Sequence, residues 1–302
     1  MNITYFFELF LGGLTRGSIY ALLALGYTMV YGIIKLINFA HGEIYMIGAF
    51  TVLIVVSILT VTGLNFFAIV VIAIFLAVLF SSGYGVTMEK IAYKPLRNSP
   101  RLSALISAIG MSIFLQNYVR LFQTSDFLPF PSLIPDFKFM QPIEHIFNSS
   151  QLVILLTTAL VMVLLTFLIK FTRIGKAMRA TAQDKTMAML VGIDINKIIS
   201  ITFLIGSTTA ALGGVLISSH IGQINFYVGF IAGIKAFVAA VLGGIGSIPG
   251  AVLGSLVLGW TESYATGYIS SDYEDVFAFL FLIIILIFKP DGILGRSTKQ
   301  KI

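Results

Sequence analysis

The sequence predicts an all-α polytopic membrane protein of about eight to ten spanning helices, some broken or re-entrant, and three observations predict it. The 302-residue chain is 58% hydrophobic and 11% charged, with a mean hydropathy of +0.99 and 26 Phe. A soluble domain of this size does not carry that balance. Apolar runs near 20 residues, the length that crosses a hydrocarbon core about 30 Å thick, recur along nearly the whole chain. The basic residues fall in separate connections between those runs and do not form one patch, so the net charge of +6 reads as topology and not as a nucleic-acid surface. Residues 1–302 therefore read as a single transmembrane domain, with no sizeable soluble part.

Candidate spans are 10–33, 43–63, 65–84, 102–122, 151–170, 198–218, 231–243, 250–265 and 275–289. The opening MNITYFFELF lacks a basic lead and a small-residue cleavage site, so no cleaved signal peptide is expected. With no cysteine, disulfides, thiol catalysis and cysteine-held metals are excluded. Lys90, Lys94, Arg97 and Arg101 share one connection. Arg173, Lys176, Arg179, Lys185 and Lys197 share a second, and Lys289, Arg296, Lys299 and Lys301 form the tail. The positive-inside rule makes all three cytoplasmic. The connection 123–150 is poor in Lys and Arg and holds Pro129, Pro131, Pro135 and Pro142, so it is expected outside; so is 262–275, with Glu262, Asp272, Glu274 and Asp275. For the tail to return inside, 231–265 must cross twice or enter and leave.

That requirement falls on AAVLGGIGSIPGAVLGSLVLG, residues 239–259, an apolar run expected to break in its middle. Pro249 interrupts a helix, and Gly243, Gly244, Gly246 and Gly250 tolerate backbone angles that other residues avoid. Two readings are open together: a translocation route lined by unwound backbone, and a small-residue ridge of Gly246, Gly250 and Gly254 for close helix packing. A second irregular segment, INFAHGEIYMIGA at 37–49, carries Asn38, His41 and Glu43 within apolar sequence. Laying Gly42 on Gly250 gives a loose internal match, and paired interrupted segments are a transporter signature. On a helix, His41 and Glu43, two apart, face different ways, and no third ligand has metal spacing; no metal site is expected. Interfacial anchoring beside Lys35 and a gate in the pathway are equally open for them. His145 and His220 read as isolated polar loop residues.

RATAQDKTMAMLVGIDINK, residues 179–197, is polar and helix-compatible, with Gly192 as its stop. It suits either a helix on the membrane surface or one that docks a cytoplasmic partner. No G-x-x-x-x-G-K-[ST] phosphate loop exists in the sequence, and no nucleophile–base–acid set stands out, so an enzyme is not expected, nor any cofactor.

FAHGEIYMIGA, RATAQD followed by MAMLVGID, and KAFVAAVLGGIGSIPGA through DGILGR together resemble, from end to end, the LivH-type permeases of branched-chain amino-acid ABC importers. The resemblance implies the multi-span fold shared with related sugar importers and placement in the bacterial inner membrane. It implies four kinds of partner: a second homologous permease, two ABC ATPases, a periplasmic substrate-binding protein that delivers leucine, isoleucine or valine, and membrane lipid. It also implies a coupling helix in the 171–197 region. The general E-A-A-x-x-x-G pattern, laid on Thr186, Met187, Ala188 and Gly192, keeps the second Ala and the Gly but loses the Glu and the first Ala. Arg179, Asp184, Met187, Ala188 and Gly192 are thus the expected coupling residues. Permeases for urea or short amides are similar, and remain the alternative within this class. Outside it stand an ion-coupled secondary transporter, which the poverty of intramembrane carboxylates disfavours, and a channel-like or purely structural subunit.

Overall fold

A computed structural model describes residues 3–97, 99–144 and 146–295, so Arg296, Lys299, Lys301 and His145 lie outside the described residues. Each of the nine apolar segments falls on one helix. These are α1 (Ile3–Ile34), α2 (His41–Leu59), α3 (Phe66–Met88), α4 (Arg101–Phe122), α5 (Ser149–Phe171), α8 (Ile195–Ile221), α9 (Val228–Gly243), α10 (Ile248–Tyr268) and α11 (Glu274–Phe288). Two short helices, α6 (Arg173–Gln183) and α7 (Lys185–Leu190), fill the polar connection before α8. Six helices, α1 to α5 and α8, are long and apolar enough to cross a membrane singly; α9 and α10 qualify together as one broken unit bent by 118°. At 1.5 Å per residue α9 and α11 reach only about 24 and 22 Å, short of a ~30 Å core. Six or seven full crossings therefore account for the nine segments.

Local chemistry sets most boundaries. The Asn65 side chain accepts from the Phe67 N–H to start α3, and an Asn148–Gln151 capping box starts α5. Asp194 accepts from the Lys197 N–H to start α8, which stops at Gly222 in the left-handed region. That last turn contains His220, which sits on a helix and not in a loop. α3 runs into a π-helical turn, Glu89–Tyr93.

The interior is built on close backbone approach. A Cβ on Gly17 would lie 2.7 Å from the Leu256 Cα, and one on Gly13 2.6 Å from Trp260, so α1 and α10 pack with nothing between their backbones. Gly26 faces Gly206 and Gly48 faces Ala211, bringing α8 against α1 and α2 in the same way. Without a hydrophobic drive between helices in lipid, this small-residue contact carries the association. The outer surface is the converse: α5 exposes Leu156, Leu160, Val163, Leu164 and Phe167, as a lipid-facing helix does.

Candidate functional site

Six residues, 35–40, separate α1 from α2, beginning with Lys35 at φ 62°, a left-handed non-glycine residue. Lys35 itself is exposed. Asn38, His41 and Glu43, by contrast, are buried at 2%, 1% and 0% exposure, which speaks against the interfacial-anchoring alternative for His41 and Glu43. They are packed inside the helix bundle. The Tyr93 hydroxyl donates to Asn38 Oδ1 at 2.8 Å. His41 lies edge-on to Tyr27, centroids 4.8 Å apart, in the notch left by Gly26. On the other face of α2, Glu43 Oε1 accepts from Ser112 at 2.8 Å and from Gln116 at 2.9 Å, both on α4. Four buried polar atoms here, Tyr27 Oη, Asn38 Nδ2, His41 Nε2 and Glu43 Oε2, have no hydrogen-bond partner among the described residues.

A second break, residues 244–247, parts α9 from α10. Gly244 (φ 103°) and Gly246 (φ 98°) take angles that L side chains rarely adopt, so these two end the helix. Pro249 does not interrupt a helix: it sits in the first turn of α10, where its missing N–H has no partner to lose, behind the Ser247 cap that accepts from the Gly250 N–H at 3.2 Å. Gly250 packs on Gly243, and Gly254 on Ala239 and Gly243, but a Cβ on Gly246 would meet nothing within 4 Å. The expected ridge is therefore Gly250 and Gly254 against Gly243, with Gly246 outside it. Ile293 N–H donates to the Leu242 carbonyl and Leu294 N–H to the Gly243 carbonyl, both at 2.9 Å, so the DGILG segment caps the last carbonyls of α9 at the break with the chain's own peptide groups. The two breaks face one another: the Gly32 Cβ position is 4.0 Å from Gly246 Cα, and Phe237 of α9 contacts both Tyr27 and Phe39.

The polar connection forms two helices where one was expected. Asp184 has extended backbone (φ −152°, ψ 114°) and its side chain accepts from the Met187 N–H at 3.0 Å, starting α7 afresh. Gly192 (φ 84°) ends it, as its sequence position suggested. Arg179 donates to the Ile169 carbonyl at the end of α5. Ala188 is turned into the chain at 3% exposure, while Met187, Met189, Leu190 and Val191 are more than half exposed. The face open to a partner is therefore these four apolar residues, not the alanine. Lys185 reaches the Ile34 carbonyl at 3.4 Å; burial, then the positive charges of Arg97 and Lys35, draw its pKa below the ordinary lysine value.

Sequence reasoning missed two ionic clusters. Glu89, fully buried in the π-turn, is paired with Arg97 and accepts from Ser200 of α8 at 2.8 Å, while Arg97 also bonds Asn196. Lys235 of α9 lies 3.3 Å from Glu262, 2.6 Å from Glu274 and 2.9 Å from Asp275; Arg16 of α1 lies 3.0 Å from Glu274, and the Tyr20 hydroxyl donates to Glu262 at 2.7 Å. Glu262 is thus a helix residue at 0% exposure and not part of an outer loop. Buried charge is not scarce in this chain, and Glu89 and Glu262 are paired; the lone cations Arg16 and Lys235 inside apolar runs were the available signal. Finally, an open apolar cleft of about 240 Å³ lies between α2, α3 and α4, with Ile47, Phe50 and Val119 at its floor and the exposed Ile54, Phe80 and Phe122 at its rim.

A family profile described as "Branched-chain amino acid transport system / permease component" matches residues 9–286. The high-affinity branched-chain amino acid transport system permease protein LivH of Salmonella typhimurium is 49% identical, covering 99% of this chain and 98% of that one; LivH of Escherichia coli K12 is also 49% identical, with the same coverage. The corresponding permease protein BraD of Pseudomonas aeruginosa is 48% identical over 100% of this chain and 99% of its own. The apolar helices and these relatives make the protein a multi-pass inner-membrane protein. The chain belongs to the family of permease components of branched-chain amino acid transport systems.

Proposed function

We propose that this chain is the membrane permease of an ATP-driven importer that carries leucine, isoleucine and valine inward. The observation that carries the reading is the near-half identity, end to end, to permeases named for that transport. A second related permease, two ATPases and a substrate-binding protein complete the assembly, and the energy comes from the ATPases. The basic connections 89–101 and 171–197 face the cytoplasm, and 123–148 faces outward.

In this reading α6 and α7 transmit force. An exposed apolar surface of Met187, Met189, Leu190 and Val191, in a connection otherwise rich in charge, suits a protein cleft better than solvent. Headgroup attraction would instead act through Arg179, Lys185 and Lys197. The test is the whole importer reconstituted in liposomes with its binding protein: labelled leucine is expected to enter with ATP, and urea and acetamide are not. Leu190→Asp is expected to abolish co-purification of the ATPases while the permease still inserts. Full ATPase recovery with that variant, and loss instead on neutralising Arg179, Lys185 and Lys197, would reassign the connection to the lipid surface.

A further inference from the structure

We propose that Glu43 is the fixed polar anchor of the solute route, its unpaired Oε2 receiving the ammonium group of the amino acid in transit; this rests on the branched-chain amino acid reading above. The other wholly buried carboxylates have cationic partners: Glu89 has Arg97, and Glu262 has Lys235. Glu43, equally buried, has no ion-pair partner among the described residues, only the neutral donors Ser112 and Gln116, which occupy Oε1 and fix the group. Oε2 is left with no donor. An acceptor buried and unpaired is costly and rare, and a charge-assisted bond from an ammonium is its strongest complement. Intramembrane ionisable groups without a structural partner mark solute and ion pathways.

The backbone of Gly229 lies over Oε2. A Cβ on Gly229 of α9 would lie 2.8 Å from Oε2, and Gly42 abuts both Gly229 and Gly233 with no side chain between the helices. Among the described residues no hydrogen bond crosses this seam, so α9 can part from α2 without breaking one. The same parting would uncover the unpaired Tyr27 hydroxyl, which faces Gly233. An apolar cleft begins one turn further along α2. Ile47 and Phe50, one and two turns on along α2, and Val119, one turn on from Gln116, line this cleft. A carboxylate one turn before an apolar cleft on the same helix suits the ammonium and the branched aliphatic side chain of a zwitterionic solute. A sodium ion would satisfy the carboxylate equally well, so the experiment separates the two.

The experiment uses the complete importer in liposomes. Dicyclohexylcarbodiimide, which reaches carboxyls in apolar surroundings, is applied with and without ATP–vanadate trapping, and adducts at Glu43 and Glu262 are read by mass spectrometry. The expected result is a Glu43 adduct that forms under trapping and is suppressed by saturating leucine but not by sodium; Glu262 is expected to be indifferent to leucine. Glu43→Gln is expected to lower leucine uptake about 10-fold or more, the loss of one charge-assisted hydrogen bond, with ATPase recovery unchanged. Leucine uptake that survives Glu43→Gln in an assembled complex, absence of the Glu43 adduct in every nucleotide state, or protection by sodium in place of leucine overturns the anchor alone. A wild-type complex that imports no leucine overturns the functional reading and the anchor with it. Should the glutamine variant fail to assemble, the adduct pattern on the unmodified chain still decides.

Discussion

α9 presents two faces to two buried carboxylates. Gly229 and Gly233, four apart, lie against Gly42 of α2, with Gly229 also against Glu43, whereas Lys235, two residues further, turns to the other side and meets Glu262 of α10 and the acidic start of α11. On the lysine face two cations, Lys235 and Arg16, are shared among Glu262, Glu274 and Asp275, and a tyrosine hydroxyl donates to Glu262 Oε2. On the glycine face Glu43 Oε2 has no donor and lies against the Gly229 backbone. The lysine face ties four helices together by charge. The glycine face is held by fit alone and has nothing to break when it separates. One short helix, too brief to cross by itself, is thus fastened on one side and free to part on the other.

The largest expected effect breaks the fastened side. Lys235→Leu strands Glu262 without its cation, at a cost of about 3–5 kcal/mol, and is expected to cause large loss of folded permease in detergent thermal melts. Glu43→Gln, which removes no ion pair, is expected to melt within about 1 kcal/mol of the parent. If both variants collapse alike, the contrast between the faces is wrong.

The second prediction sharpens what holds the free side. A valine at Gly42 would drive its side chain onto the Gly229 carbonyl, overpacking by about 1–3 kcal/mol, and leucine uptake is expected to fail even where assembly survives. Gly246→Ala meets only empty space and pays for its positive φ, about 1–2 kcal/mol, with uptake retained. Uptake measured beside size-exclusion profiles of both variants checks the ranking, and equal loss in the two would mean the second break belongs to the route as well.

The smallest effect concerns the connection that leads into α2. Tyr93→Phe removes the bond to Asn38 Oδ1, about 1 kcal/mol, and leaves the asparagine, whose Nδ2 already lacks a partner, with none. A drop of a few degrees in melting temperature with ATPase recovery intact is expected; a drop as large as that of Lys235→Leu would make the π-turn, not the ionic cluster, the main fastening.

Helix existence was legible because a span must be apolar for its full length, and each of the nine runs became one helix. Ends were legible where one residue decides them: Gly192 and the Gly244–Gly246 break. What failed was whatever depends on the partner across a contact. Ala188 reads as an exposed small residue until the helix is rotated, and nothing local records that it turns inward. Asp184 sits within a helix-forming run, and its capping of Met187 overrides the propensity around it. Glu262 looked like one of four loop acids because its cation, Lys235, is 27 residues away and on a different helix. His41 and Glu43 were singled out correctly as anomalous, but their burial is a property of α4, α8 and α9, not of the segment that carries them.

The connection 123–148 carries one further consequence. Leu128–Pro129 pairs antiparallel with Gln223–Ile224, Phe130 N–H donates to the Gly222 carbonyl at 2.9 Å, and Leu133 N–H donates to Ser219 Oγ at 3.0 Å. The longest polar connection between spans is therefore stitched to the end of α8 before any partner arrives. A protein that bound there would meet a surface already set beside the end of α8, the helix that touches both α1 and α2, and would lose little chain entropy in binding it.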